Sequence, residues 1–199
     1  MRKNKTFFFI PGFKQKATDK QFIRLSRFLK TNGFRVIKVN MCWDYKVMSD
    51  YIQSFKDFYN KYKSHNNYIL GFSYGAVIAL SAANELSPRP KKIYLCSLSP
   101  DFKEDLVKMR PWIKKLIGKR RLADIKKRGA IKIAKNLRVA SVIFYGEREA
   151  KKYPELKIRC EKTAYLARNS KLIVVKNVSH KLNDSEYIKS IQQELKQIS

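Results

Sequence analysis

Six short apolar runs, rich in β-branched and aromatic residues, alternate with longer stretches of helical periodicity along the 199 residues. Such runs are typical of buried strands, and we predict strands at residues 6–10, 34–39, 68–70, 93–98, 142–145 and 172–175. Strands that alternate with helices form a mainly parallel sheet with helices on both faces, because each right-handed crossover returns the chain to the same edge. The sequence therefore predicts an α/β protein: one three-layer α/β/α sandwich over residues 1–199, with a six-stranded sheet.

The stretches between the strands carry apolar residues three and four positions apart, which is the spacing of an amphipathic helix. Thr18, followed by Gln21 three residues later, matches a capping box and predicts a helix over residues 18–31. Further helices are expected over residues 51–62 and 76–83. Asp184 or Asn183 is expected to cap a final helix whose apolar stripe runs to residue 198.

Composition favours a soluble protein with a single core. The chain is 44% hydrophobic, but it has no run of about eighteen apolar residues of the kind that crosses a membrane. Its three cysteines, Cys42, Cys96 and Cys160, are widely spaced and form no CxxC pattern. Buried, unpaired thiols in a reducing cytoplasm are therefore the expected state and location.

The formal net charge is +28, from 44 Lys and Arg against 16 Asp and Glu. Residues 101–138 hold fourteen of the basic residues and four of the acidic ones, and they interrupt the strand–helix rhythm. We expect this segment to be a basic helical lid over the carboxyl edge of the sheet. Its charge has two interpretations: it steers an anionic ester, an acyl carrier or a phospholipid surface to the cleft, or it is the solvated face of amphipathic helices.

The pentapeptide Gly-Phe-Ser-Tyr-Gly at residues 71–75 matches the G-x-S-x-G nucleophile elbow. It lies directly after the third predicted strand and directly before a helix, which is the context that the motif requires. Such a turn holds the serine in a strained conformation and points its hydroxyl into a cleft. Ser73 is therefore the candidate nucleophile, and the amide of Tyr74, at the helix start, is a candidate donor to a developing oxyanion.

A serine hydroxyl needs a base within hydrogen-bond reach, and the chain has two histidines. His65 precedes the third strand, so we expect it at the amino edge of the sheet, on the surface. His180 follows the last strand, at the carboxyl edge where Ser73 is expected. His180 is therefore the candidate base.

A carboxylate is expected to orient the imidazole and to stabilise its charged form. After the fifth predicted strand the chain reads Gly-Glu-Arg-Glu at residues 146–149. Glu149 is the preferred candidate for the acid. Glu147 is its nearest competitor, and Asp101, after the fourth strand, is a topologically feasible third.

On these residues the chain resembles a small α/β-hydrolase-fold protein of the serine esterase and lipase superfamily, over nearly its whole length. Ser73, Glu149 and His180 follow the superfamily's chain order of nucleophile, acid and histidine. In that family the acid often stands three positions beyond a glycine at a strand end, as Glu149 does beyond Gly146. Family members commonly have Asp at this position, and Glu is an accepted variant.

The resemblance also implies a second oxyanion donor from the loop after an early strand, where the family often has a His-Gly motif. Here residues 11–13 read Pro-Gly-Phe, which keeps the glycine without the histidine, and the role falls to the backbone amide of Phe13. The two leading antiparallel strands of the family have no counterpart in the sequence. The resemblance therefore implies a reduced six-stranded α/β-hydrolase fold.

The implied reaction is cleavage of a carboxylic ester or thioester, with a small-molecule acyl ester as substrate and an acyl-enzyme on Ser73. No metal or organic cofactor is required, and two distant histidines with scattered cysteines do not assemble a metal-ligand cluster. Two other classes of function stay open. One is a catalytically inactive hydrolase-fold binding protein, and the other is a basic nucleic-acid-binding protein, suggested by the pI near 10.1.

Overall fold

A computed structural model describes residues 5–198 and contains one six-stranded sheet. Its strand order is β2-β1-β3-β4-β5-β6, and every neighbouring pair is parallel. The predicted six-stranded α/β architecture is therefore confirmed, with a sheet that is wholly parallel. The strands are β1 (Lys5–Ile10), β2 (Arg35–Lys38), β3 (Asn66–Phe72), β4 (Lys92–Cys96), β5 (Ala140–Gly146) and β6 (Ser170–Val175).

Helices connect the strands and cover both faces of the sheet. Within the described residues, none of them combines the length and the hydropathy that crossing a bilayer would require. They are α1 (Lys20–Thr31), α2 (Met48–Tyr62), α3 (Tyr74–Ala82), α4 (Asp105–Lys108), α5 (Pro111–Lys126), α6 (Ala130–Lys135), α7 (Glu147–Lys152), α8 (Pro154–Leu166) and α9 (Ser185–Lys196).

Strand β1 shows why the sheet needs a helical layer on each face. Its successive side chains point to opposite faces, as in any strand. Phe7 and Phe9 pack in one apolar cluster with α1 and α9, while Phe8 and Ile10 pack in a second cluster with α2 and α3. All four side chains are fully buried. A strand with large apolar residues at every position can be accommodated only between two layers, which produces the α/β/α sandwich.

The predicted N-terminus agrees with the structure for α9 and differs from it for α1. Helix α9 begins behind Asp184, whose carboxylate accepts a hydrogen bond from the amide of Glu186 at 3.0 Å. The expected capping box at Thr18 is wrong, because α1 begins at Lys20 with Asp19 at its N-cap position. The Asp19 carboxylate accepts from the amide of Lys16, in the preceding turn, so the local turn rather than a threonine cap determines where α1 starts.

The three cysteines are unpaired. Cys96 and Cys160 are buried, as expected, and burial raises the pKa of both thiols. Cys42 is exposed, which differs from the expectation of burial, because it lies in the loop between β2 and α2 instead of on a core strand.

The segment predicted to be a lid, residues 101–138, forms three helices between β4 and β5. Helix α5 is kinked at Gly118, where φ is 77°. From residue 103 to residue 123 no side chain is buried, whereas the chain on either side of this stretch returns to the core. The segment is therefore an addition to the outside of the sandwich, at the end of the sheet where β4 finishes.

Two glycines allow α3 to cross very close to the sheet. A methyl group on Gly71 would lie 2.2 Å from the carbonyl oxygen of Gly75, and a methyl group on Gly75 would lie 2.2 Å from that of Ile10. Both distances are far inside van der Waals contact. The start of α3 therefore rests directly on the backbone of β1 and β3.

We expect Gly75→Ala to lower the free energy of unfolding by about 3 kcal/mol, because the backbone atoms of Ile10 and Pro11 leave no room for the methyl group. Gly129→Ala is the control. Its methyl group would approach the flexible end of Lys103, at 2.8 Å, so we expect a loss below about 1 kcal/mol. Urea denaturation measures both, and equal losses would contradict the crowding argument.

Candidate active site

Ser73 lies in the turn between the end of β3 and the start of α3. Its backbone has φ 56° and ψ −114°, a region that residues other than glycine rarely adopt. The amide of Ser73 donates to the carbonyl of Cys96 at 2.8 Å, which ties the turn to the neighbouring strand end. The strained turn is thus held by β4 on one side and by the glycine contacts of α3 on the other.

Glu149 and His180 form a contacting pair at the same edge of the sheet. Glu149 is the third residue of α7, directly after β5, and only 1% of it is exposed. Its Oε1 is hydrogen-bonded to Nδ1 of His180, on the loop after β6. The imidazole is partly open to solvent, with 37% of its side chain exposed. The buried carboxylate therefore fixes one ring nitrogen of a histidine that faces the cleft.

The other oxygen of Glu149 is held by groups that the sequence did not indicate. Ser97 Oγ donates to Oε2 at 2.7 Å, and the amide of Gly146 approaches the same oxygen at 3.3 Å. Ser97, with φ 55°, also lies 3.0 Å from the hydroxyl of Tyr187. Complete burial raises the pKa of Tyr187 well above its ordinary value, so this hydroxyl stays protonated. Glu149 is therefore positioned by hydrogen bonds on both of its oxygens.

The structure brings His180 and Ser73 to one site without a direct hydrogen bond between them among residues 5–198. The imidazole packs on the ring of Phe72, one residue before Ser73, with 4.9 Å between ring centroids. The Ser73 hydroxyl is instead 2.8 Å from the hydroxyl of Ser99, a residue that sequence analysis missed. Ser99 follows β4 at the carboxyl edge, so the same edge rule that selected His180 was the available signal.

The two competing carboxylates have other partners. Glu147 is bonded to the amide of Asn177 at 3.1 Å and to Lys151 at 3.2 Å; the Asn177 hydrogen bond is the main cause that lowers its pKa. Asp101 is buried and is paired with Arg121 and Arg128. Within the described residues, Glu149 is the carboxylate that reaches His180. Its role as the acid of a triad stays a prediction.

Two backbone amides next to Ser73 are available to a ligand. Tyr74 is the first residue of α3, where amides have no partner within the helix, and Phe13 follows Gly12 in the loop after β1. Neither amide hydrogen-bonds another of the described residues. A methyl group on Gly12 would lie 3.2 Å from Cβ of Ser73, so this loop passes directly beside the serine. Both predicted oxyanion donors therefore lie next to the nucleophile candidate.

Arg128 anchors the lid segment to this edge of the sheet. Its guanidinium binds Asp101 at 2.9 Å and Asp124 at 2.8 Å, and all three side chains are buried. Asp124 also accepts from the hydroxyl and the amide of Ser49, at the start of α2. Burial raises the pKa of Asp101 to about 6, against the opposing effect of Arg128. The loop after β4, the lid and α2 thus share one buried ionic network.

No protein-family model matches the chain, and no curated protein is detectably similar to it in sequence. Solved structures, however, share its fold. Est1E from Butyrivibrio proteoclasticus has a TM-score of 0.78 at 14% identity, over 100% of this chain and 88% of its own. Alpha/beta hydrolase domain-containing protein 10 from mouse has a TM-score of 0.75 at 10% identity, over 97% and 88%. A lipase-esterase related protein from Clostridium acetobutylicum has a TM-score of 0.71 at 16% identity, over 98% and 95%.

These likenesses confirm the fold that the resemblance implied: the chain has the α/β-hydrolase fold. Within residues 5–198 the sheet has six parallel strands, with β1 second from one edge, which agrees with the expected reduced form of the fold. At 10 to 16% identity, the structural similarity supports the fold alone. The chemistry has to be argued from the residues at the site.

We expect Arg128→Met to lower the free energy of unfolding by about 3 kcal/mol at pH 7, because it strands the buried Asp124 and leaves the buried Asp101 with only its ion pair to Arg121. Arg120→Met is the control. Arg120 binds Asp50 at the surface, at 3.0 Å, so its loss should cost less than about 1 kcal/mol. Chemical denaturation measures both. The Arg128→Met deficit should shrink at pH 4, where Asp101 and Asp124 take up protons, and a pH-independent deficit would contradict this account.

Proposed function

We propose that the protein is a serine hydrolase that cleaves a carboxylic ester or thioester through an acyl-enzyme on Ser73. One observation carries the proposal: a buried carboxylate holds the imidazole of His180 at the edge of the sheet where Ser73 occupies a strained turn. The hydrolase fold and its esterase and lipase-related neighbours support the same conclusion. Carboxylesterase-like specificity is part of the proposal.

In the proposed mechanism His180 acts as the base. Its Nδ1 is occupied by Glu149, which favours the tautomer with the proton on Nδ1 and leaves the lone pair of Nε2 free. For its proton to reach Nε2, the Ser73 hydroxyl would have to exchange its hydrogen bond with Ser99 for one with His180. The imidazolium that forms is stabilised by the buried charge of Glu149.

The attack of Ser73 on the carbonyl carbon creates a negatively charged oxygen, which the amides of Phe13 and Tyr74 would bind. Each such donor is typically worth about 3 kcal/mol of barrier. The imidazolium then gives its proton to the departing alcohol or thiol as the bond to the carbonyl carbon breaks. Water, deprotonated by His180, attacks the acyl carbon of the acyl-enzyme. The bond to Ser73 Oγ then breaks and the acid leaves, while the imidazolium returns its proton to Oγ.

The proposed substrate is a small acyl ester. The basic segment 101–138 is tied to the same edge of the sheet, so its positive charge would favour esters with a negative group. The three unpaired cysteines support the cytoplasmic location that belongs to this proposal.

We expect a fluorophosphonate probe to label the native protein and to fail with Ser73→Ala, because the probe reacts with an activated serine at a folded site. Ser190→Ala, on the outer face of α9, should label like the native protein. In-gel fluorescence and mass spectrometry of the labelled peptide provide the measurement. A screen of p-nitrophenyl esters and thioesters with the same variants tests turnover.

Two results would favour the other classes of function. If the folded native protein takes up no probe, the site is inactive and the binding-protein alternative gains support. If a gel shift with nucleic acid survives about 150 mM salt, the nucleic-acid alternative gains support, since purely electrostatic binding is largely lost there.

We expect Glu149→Gln to lower kcat for p-nitrophenyl acetate by about 10⁴-fold, because the neutral amide cannot stabilise the imidazolium or enforce its tautomer. Glu147→Gln is the matched control, two residues away with its partners at the surface, and should stay within about twofold of the native rate. Steady-state kinetics on both variants checks this. Similar losses in the two variants would remove Glu149 from the mechanism.

A further inference from the structure

A cavity of about 220 Å³ lies beside the two oxyanion amides. Five of its ten lining residues are aromatic, which is a high share for a chain in which aromatic residues make up 13%. Met48 and Tyr51 are buried in its wall, while Tyr45, at 99% exposure, stands at its rim. We call it the aromatic cavity; its lining residues are Phe13, Trp43, Tyr45, Lys46, Val47, Met48, Tyr51, Tyr74, Asp101 and Arg121.

The aromatic wall is held in place by hydrogen bonds. Trp43 Nε1 donates to the carbonyl of Gln15 at 3.1 Å, and the Tyr51 hydroxyl donates to the carbonyl of Trp43 at 2.7 Å. The rings of Trp43 and Tyr51 meet edge to face, with centroids 4.9 Å apart, and Phe13 meets Trp43 at 5.7 Å. A wall fixed in this way needs little ordering when a ligand binds.

The position of the cavity relative to Ser73 links it to the proposed reaction. Phe13 and Tyr74 contribute their amides to the oxyanion site and their side chains to the cavity wall, with 5.3 Å between their ring centroids. An ester whose carbonyl oxygen sits between those amides therefore has one of its two arms directed to the aromatic cavity.

The volume of the cavity and the charged residues in its wall determine which kind of substrate group it can bind. A cavity of about 150 Å³ can hold benzene, so the volume of this partly polar cavity is large enough for a single ring with a short linker. The guanidinium of Arg121 lies 5.5 Å from the ring centroid of Tyr74 and is held there by an ion pair with Asp101 at 3.1 Å. A guanidinium and ring edges at the wall attract the negatively charged face of an aromatic ring, an attraction that a saturated ring of the same size lacks.

We propose that the aromatic cavity binds an aromatic ring carried by one arm of the ester substrate. This inference rests on the proposed function and specifies its substrate class. It assigns Trp43 and Tyr51 to substrate selection, although neither touches the reacting atoms.

The test compares esters that differ only in the ring. Methyl 3-phenylpropanoate and methyl 3-cyclohexylpropanoate probe the acyl arm, and 2-phenylethyl acetate and 2-cyclohexylethyl acetate probe the alcohol arm. We expect kcat/KM to favour the phenyl ester about tenfold in one of the two pairs, and that pair identifies the arm. Equal kcat/KM values within both pairs would overturn the proposal.

Variants distinguish ring binding in the aromatic cavity from a preference for phenyl esters that has another cause. Trp43→Leu should reduce the phenyl-to-cyclohexyl ratio to near one, and Trp43→Phe should retain most of it. Trp112→Leu removes the exposed tryptophan of α5, outside the cavity, and should leave the ratio unchanged. A ratio that survives Trp43→Leu in protein with a native circular-dichroism spectrum contradicts the assignment.

A binding measurement makes the inference independent of turnover. The chain has two tryptophans, so in Trp112→Phe the fluorescence reports Trp43 alone. Titration with 3-phenylpropanoate should change this fluorescence saturably, and 3-cyclohexylpropanoate should bind about tenfold more weakly. Ring binding without hydrolysis of any ester would overturn the proposed function while supporting the cavity. Hydrolysis without ring binding or ring preference would overturn the cavity alone.

Discussion

The contact between the start of α3 and the backbones of β1 and β3 is the constraint on which the rest of the site depends. Gly71 and Gly75 bring the helix so close that no other residue type fits without displacing main-chain atoms. The turn between them is consequently too tight for an ordinary conformation, and Ser73 takes φ 56°. Because the sheet is wholly parallel, the loops that follow β1, β4, β5 and β6 all begin at the same edge of the sheet as that turn.

Polar groups buried at this edge hold the site in shape. Glu149 would be costly to bury alone, but Ser97 and His180 satisfy its two oxygens. In the added segment, Arg128 offsets the cost of burying Asp101 and Asp124 by pairing with both carboxylates. The two networks have different roles, because the first orients an imidazole while the second ties an added segment to the sandwich. Removing one member of either leaves a charge with no water to solvate it.

Local patterns in the sequence were sufficient for the strands, the parallel sheet, the elbow and the edge that carries His180. Each of these depends on residues close together in the chain, or on a topological rule that applies to every parallel sheet. Ser97, Ser99 and Arg128 were missed because their importance comes from contacts between loops that are distant in sequence. The aromatic cavity is of the same kind, since its walls come from four separate segments. The prediction of a Thr18 cap was wrong because the Asp19 carboxylate accepts a hydrogen bond from the amide of Lys16 and forms a competing turn.

Residues 103–123 of the added segment are attached mainly by charge, whereas its two ends are held by buried apolar residues such as Phe102 and Leu137. Between residues 103 and 123 no side chain is buried, and the links of this stretch to the rest of the protein include the exposed ion pairs of Arg120 with Asp50 and of Lys108 with Glu155. Detaching this stretch alone would transfer little apolar surface to water, so the detachment would carry a small heat-capacity change. Dissolved ions compete directly with those pairs. The attachment of this stretch to the protein therefore depends on the salt concentration of the solution.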